Sequence, residues 1–252
     1  MGPLRAILDD PAWRLNALGT AVVGTVAFAL FATPLTLLAW LDPAWARSWR
    51  IQLRRPRAQD LVGRSIVRWL ANTAVAFALM TVAWPWVHFG RAAFFPLPSW
   101  HEVLGQFLVF VYLDDLLFYW AHRALHGRWL FKHVHAVHHR IYTPWAITGN
   151  YSHPAEFVIT ATLALLGPAL FHSHPLTIWI WIAWRQWEAA EGHCGYDLPF
   201  SPSLLLPGSD GALHHDFHHA KVRGNYAGFL RHVDTVFGTL AKGYAEHRAK
   251  RA

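Results

Sequence analysis

The sequence predicts an all-α protein, a polytopic helical bundle integral to a membrane. Three observations carry that prediction. Of 252 residues, 54% are hydrophobic and only 15% charged, whereas a soluble domain carries about 25% charged residues. The mean hydropathy is positive, at +0.20. The apolar residues also gather in runs long enough to cross a bilayer, which takes ~20 residues of helix. The length suits one membrane domain, 1–252, with spans and a basic loop in 1–100 and the chemistry-bearing residues in 101–244.

The first run, Leu15 to Leu41, contains no charged residue. Pro34 would kink such a span without forbidding it. The run is too long for a cleavable signal peptide, and Asp9 and Asp10 stand where a basic leader should be. The second run, Ile66 to Val87, has Arg68 near its start and ends in Trp84-Pro85-Trp86, the aromatic signature of a membrane interface. The third, Val103 to Ala121, carries Asp114 and Asp115 in its middle. The fourth, Phe157 to Trp187, is too long for one span. Breaks are expected at Gly167-Pro168 and at His172-Ser173-His174-Pro175, giving a broken helical hairpin that enters the membrane and returns. Trp179, Trp181, Trp184 and Trp187 then either line a lipid pocket or form an interfacial belt. Three full spans and a hairpin result.

Charge placement orients the bundle. Arg47, Arg50, Arg54, Arg55, Arg57 and Arg64 lie between the first two runs, with Arg68 at the start of the second, and only Arg91 lies between Val87 and His101. The positive-inside rule makes the first connection cytoplasmic. The third span returns the chain to that side near His122. The basic end, with Lys242, Arg248, Lys250 and Arg251, is expected there too. The net charge of +7 is therefore read as a membrane-side rim, and nucleic acid is excluded as a partner. The single cysteine, Cys194, excludes an internal disulfide, a cysteine-ligated zinc ribbon and a four-cysteine iron–sulfur cluster.

The most telling count is 18 histidines. All but His88, His101, His232 and His247 fall between residues 122 and 219. His122 and His126 are spaced i, i+4; His135, His138 and His139 are spaced i, i+3, i+4; His215, His218 and His219 repeat that second spacing. On a helix these positions share one face about 5–6 Å apart, so two imidazoles of each cluster can reach one ion. Imidazole nitrogen suits Zn, Cu, Fe and Ni. The Glu-x-x-His pairs of a carboxylate-bridged di-iron bundle are absent, as is the His-Glu-x-x-His of a zincin. Eight or more histidines are too many for one tetrahedral ion and suit two. Such a dinuclear site beside a membrane points to oxygen activation on long-chain lipids.

The succession HRALH, HAVHH and HHDFHH after several apolar spans resembles the fatty acid hydroxylase superfamily of membrane non-haem di-iron oxygenases. WEAAEGHCGYDLP, HHDFHHAKVRGNY and DTVFGTLAKGY are similar to the C-4 methylsterol oxidase (sterol desaturase) branch. The likeness runs from about Leu113 to Tyr244. It implies nine metal ligands: His122, His126, His135, His138, His139, His193, His215, His218 and His219. His133 would replace His135 only if the register slipped. His214 is placed as a donor behind the ligands. His153, in His-Pro-Ala-Glu, is placed either near the site or in an interfacial turn, and His172 and His174 in the polar hairpin tip. Asp115, Tyr119, His122 and His126 lie on one helical stripe, so Asp115 is expected to orient a ligand, since ionisable groups within spans are costly and usually functional. Asp114 is expected to pair with another polar group, and Glu188 and Glu191 are alternative orienting acids.

The resemblance implies two Fe ions, with Zn possible after purification, and O2-dependent hydroxylation or oxidation of a C–H bond in a sterol, fatty acyl or related lipid. Electrons must come from outside, because the chain has no Gly-x-Gly-x-x-Gly fingerprint, no cysteine cluster and little length after Tyr244 for a cytochrome domain. A reductase with a ferredoxin or cytochrome b5-like carrier is expected, docking on the basic surface. A lipid desaturase would use the same metal site. A non-enzymatic histidine-rich haem- or metal-binding membrane protein is a further alternative, with a Soret band to mark haem; a metal transporter fits less well, because most histidines fall outside the spans.

Overall fold

The computed structural model describes residues 2–52 and 59–250; Arg54, Arg55, Arg57 and Arg251 lie outside the described residues. Helix α1 (Pro3–Asp9) leads into α2, Pro11–Leu41, which is continuous through Pro34 and contains one wide turn at Arg14–Leu18. Asp10 caps α2 by accepting from the Ala12 N–H at 2.8 Å, with Pro11 in the first turn. Helix α3 (Gln59–Ala83) begins before the apolar run, so Arg64 and Arg68 lie on helix rather than in a loop. Helix α4 (Trp100–Leu125) is capped by the Ser99 hydroxyl and extends to the first histidine pair. These three long apolar helices bury only 22, 11 and 28% of their most apolar stretches within the protein. Val22, Val26, Leu30, Val67, Leu79 and Leu108 face outward. Apolar surface on that scale needs lipid against it.

The hairpin is α6 (Pro154–Leu170) and α7 (Pro175–Gly192), after a short α5 (Arg128–His133). Both hairpin helices start with His-Pro: the Nδ1 atoms of His153 and His174 accept from Ala155 and Leu176 N–H at 3.1 Å, and the proline fills the first position, where no N–H is needed. His153 is therefore a helix cap, one turn before the Glu156 that meets His135. His174 Nε2 also donates to the Phe94 carbonyl at 2.8 Å, and Arg91 N–H to the Ser173 carbonyl. The hairpin tip thus touches the loop after α3, at the bundle end opposite His122. At ~1.5 Å per residue each arm is roughly 26 Å long, close to the thickness of a bilayer core.

The break expected at Gly167-Pro168 does not occur; α6 runs on to Leu170. Pro168 removes the hydrogen bond normally made to the carbonyl of Ala164, but Trp181 Nε1–H donates to that carbonyl at 2.7 Å. A neighbouring helix supplies the missing donor. Gly167 lets Phe110 of α4 lie against α6, where a Cβ would sit 2.5 Å from its ring. The four tryptophans of α7 pack within the bundle: Trp181 is buried, Trp179 Nε1–H donates to Leu15 O, Trp187 Nε1–H to Ser203 Oγ, and Trp184 meets Phe107 edge-on.

Helix α7 packs along α2, and α4 along α6. The rest of the chain closes the end where α2 and α4 finish and α3 begins. There α8 (Ala212–Lys221), α9 (Arg231–Val236) and α10 (Tyr244–Ala249) fold over the helix ends. Asp197 N–H donates to Trp49 O and Gln52 Nε2–H to Asp216 Oδ1, and Arg68 and Asn72 donate to Ser152 O. No strand forms among the described residues, only isolated bridges such as Arg50 with Tyr196.

Candidate metal centre

Nine histidines converge at that closed end. His122 and His126 occupy the last turn and cap of α4. His135, His138 and His139 come from a 3₁₀ turn, His135–Arg140, not from the α-helix their spacing suggested. His193 follows the last residue of α7, and His215, His218 and His219 lie on the buried helix α8. The ligating nitrogens form two groups, each with every atom within 4.8 Å of the others. One comprises His122, His126, His135, His139 and His218; the other comprises His138, His193, His215 and His219.

The motifs cross between groups. In each triple the i, i+4 pair enters one group while the middle histidine, His138 or His218, enters the other. On α8, positions i+3 and i+4 diverge by about 100° of helix rotation, enough to aim His218 away from His219. Spacing could show that these side chains share a face; it could not show that they divide between two centres.

The hydrogen bonds behind the rings show what faces inward. Nδ1–H of His122 donates to Tyr226 O and that of His218 to Gly224 O, both at 2.7 Å. His219 donates to Ile141 O at 2.9 Å, His193 to Ala189 O at 2.8 Å and His138 to Tyr151 O at 3.2 Å. A neutral imidazole has one N–H, so these five rings aim Nε2 lone pairs at one another. The Nε2 atoms stand 3.0 Å apart between His122 and His135 and between His218 and His139. They stand 3.1 to 3.2 Å apart among His193, His138, His219 and His215. Between two rings that have both spent their proton on a carbonyl, as in His193 with His138 or His219, no hydrogen bond can form. Lone pairs so aimed need a cation between them. Nitrogens ~2.1 Å from a shared ion at right angles would be about 3.0 Å apart, so the donor set fits a metal in each group.

Burial keeps these rings neutral. Desolvation pushes His126, His135 and His193 down to about 3, with neighbouring histidines adding to the effect at His126 and His193. Desolvation first, then the same crowding, holds His139, His215, His218 and His219 well below the ordinary imidazole value. Neutral rings are what metal ligation requires. His135 Nδ1 lies 3.0 Å from Glu156 Oε1, a carboxylate–histidine pair of the kind that orients metal ligands.

The remaining expected residues stand behind the rings. Asp115 touches no imidazole: its Oδ1 accepts from Gly228 and Phe229 N–H at 3.0 Å and from Leu230 N–H at 3.4 Å. Tyr119 meets Thr239 Oγ1 at 3.1 Å and accepts from Arg123, with its ring stacked on Phe237. His214, fully buried, points its Nε2 at Asp234 Oδ2 at 3.3 Å, away from both groups. Asp114 pairs with Arg185 at 2.9 Å, Arg185 also binds Glu188, and Glu191 accepts from Ser203. His133, on α5, and the tip residues His172 and His174 belong to neither group. Sequence reasoning missed Glu156, Asp234 and every backbone carbonyl behind a ring. Glu156 and Asp234 each had a signal, as the acid of His-Pro-Ala-Glu and the first residue of DTVFGTLAKGY.

Beside the four-histidine group lies a cavity of about 450 Å³, lined by α2, α3, α6 and α7 and largely apolar, with Trp69, Phe77, Met80 and Phe157 among its walls. Its inner end includes Asn150 and Ala189, and Ala189 is the residue whose carbonyl holds His193. Its outer wall includes Leu79 and Leu166, which are 51 and 37% exposed on the lipid-facing surface. The volume lies within the range of small-molecule sites.

Fold and site together define a polytopic membrane protein with two adjoining histidine groups suited to metal at one end of its bundle. Comparison with known proteins makes this specific: residues 107–239 match the model of the fatty acid hydroxylase family, and the chain belongs to that family. It is similar to methylsterol monooxygenase 2-2 of Arabidopsis thaliana, at 38% identity over 92% of this chain and 88% of that one. It is also similar to very-long-chain aldehyde decarbonylase GL1-8 of Oryza sativa subsp. indica, at 37% identity over 94% of this chain and 89% of that one. No solved structure matches.

Proposed function

We propose that this protein is an O2-dependent lipid oxidase in which two iron ions are held by the two histidine groups. The observation that carries this reading is the convergence of Nε2 lone pairs beside an apolar cavity that reaches the lipid-facing surface. His122, His126, His135, His139 and His218 would hold one ion, and His138, His193, His215 and His219 the other. Reduced iron in such a pair supplies O2 activation and oxidation of an unactivated C–H bond. The protein's own part is to keep the imidazoles neutral, fix their tautomers through backbone carbonyls and exclude water. The cavity then presents an apolar chain or ring system next to His193. The relatives named for methylsterol and for long-chain aldehyde match at nearly equal identity, so the substrate is proposed as a lipid whose oxidised carbon reaches the Ala189 end of the cavity.

Electrons would come from a ferredoxin or cytochrome b5-like carrier. Arg123, Arg128, Lys132, Arg140, Lys221 and Arg223 are exposed near the histidines and suit an acidic partner. The same end carries Arg47, Arg50 and Arg68, which supports a cytoplasmic site under the positive-inside rule.

The test is lipid analysis of membranes expressing the protein with a carrier and reductase under O2, against His218→Ala. Oxygenated lipid, labelled from ¹⁸O2, is expected only with the unaltered protein. A product that has lost two hydrogens without gaining oxygen would make it a desaturase. Protein loaded anaerobically with Fe(II), to keep Zn²⁺ out of the imidazole sites, should hold two ions, and a saturating count of one would sink the dinuclear reading.

A further inference from the structure

Residues 224–230 form an irregular segment in which each amide from Asn225 to Leu230 nevertheless has a partner. Asn225 N–H donates to Thr239 O at 2.9 Å. Tyr226 and Ala227 N–H donate to the two oxygens of Asp234, both at 2.8 Å. Gly228, Phe229 and Leu230 N–H all donate to Asp115 Oδ1. Two buried carboxylates, one from α4 and one from α9, thus hold five consecutive amides. Asp234 is fully buried, accepts from the Thr239 hydroxyl at 2.7 Å and faces His214. The Asn225 side chain pins the start of the segment, donating to His214 O and accepting from Ala241 N–H.

Two carbonyls of this segment point the other way, into the metal centre. Tyr226 O takes the proton of His122 and Gly224 O that of His218, and both rings belong to the five-histidine group. The acceptors behind the four-histidine group, Tyr151 O, Ala189 O and Ile141 O, come from other parts of the chain. We propose that Asp234 and Asp115 are positioning residues for the five-histidine ion alone, acting through the carbonyls of Gly224 and Tyr226. If the segment moves, His122 and His218 lose the acceptors that keep their protons on Nδ1. A proton that shifts to Nε2 takes away the ligating lone pair. The inference rests on the proposed histidine ligation, and it divides the two ion sites by what supports each of them.

The test uses the full chain in lipid nanodiscs, loaded anaerobically with Co(II), and follows ion release to a chelator. In Asp234→Asn the amide NH2 must face a backbone N–H or the Thr239 hydroxyl, so the clamp opens. Outer-shell changes cost ~10–100-fold in metal affinity. One ion is therefore expected to leave 10–100-fold faster than in the unaltered protein, while the other keeps its rate. The ion affected is identified from the Co(II) absorption spectra of His218→Ala and His193→Ala, and the spectrum should change as in His218→Ala. Asp210→Asn is the control, because Asp210 is also buried and holds Arg231, Tyr244 and Arg248 but no amide of 224–230. It should lower thermal stability and leave both release rates unchanged. Should Asp234→Asn fail to fold, Asp115→Asn opens the other end of the same segment and carries the same expectation. Release of both ions at unaltered rates, or of both faster together, would overturn the inference. Unaltered protein that takes up no ion would instead overturn the ligation on which it rests.

Discussion

Val222, Gly224 and Asn225 all hold positive φ, at 63°, 81° and 55°. A β-branched residue at such a φ is a strained outlier, yet here it ends α8 and turns the chain so that Gly224 O meets His218. Gly224 itself has no room for a side chain: a Cβ would lie 2.7 Å from the Ala241 Cα. Gly224→Ala should therefore cost about 1–3 kcal/mol through backbone strain and displace the carbonyl behind His218. A lower melting temperature together with reduced metal content checks this; a drop in stability with full metal content would show that His218 does not depend on that carbonyl. At this scale the converging histidines were legible because metal ligation would demand particular side chains. Their acceptors were not, because every residue carries a carbonyl. Asp115 and His122 do share a stripe of α4, but seven residues put them ~10 Å apart along the axis. The carboxylate therefore reaches the covering segment instead of an imidazole.

At the scale of elements, Pro168 and Trp181 form a coupled pair across the hairpin. Trp181→Phe keeps an aromatic ring but strands the buried Ala164 carbonyl, which should cost about 1–3 kcal/mol. Adding Pro168→Ala restores an N–H for that carbonyl, so the double variant should be more stable than the sum of the single effects predicts. Thermal unfolding of the four proteins gives the coupling energy, and strict additivity would refute the exchange of donors. The apolar runs showed three spans and a hairpin because length and hydropathy are local properties. The continuity of α6 was hidden because the donor that rescues it stands 17 residues away on another helix. The 3₁₀ form of His135–Arg140 was hidden for a related reason: a six-residue turn takes its shape from what it must reach.

For the molecule as a whole, one end gathers the α2 terminus, the start of α3, the histidines and the C-terminal helices, and the other holds the loop around Phe95 and the hairpin tip. Arg47→Cys and Lys250→Cys should label with an impermeant thiol reagent from one face of the membrane, and Leu97→Cys from the other. Cys194 is buried, so it stays silent. Labelling of Arg47→Cys and Lys250→Cys from opposite faces would refute the arrangement. The sequence pointed to this arrangement because its arginines cluster between the first two apolar runs.

The cavity between α3 and α6 reaches the surface at Leu79 and Leu166, on the flank of two apolar helices and away from the ends of the bundle. A reactant that enters there is delivered by lateral diffusion and never passes through water. The concentration that governs its turnover is then two-dimensional, the mole fraction of substrate among the surrounding lipids. Diluting the bilayer with inert lipid, at constant substrate per volume of suspension, would slow the reaction as surely as removing substrate, and adding more buffer would leave it unchanged.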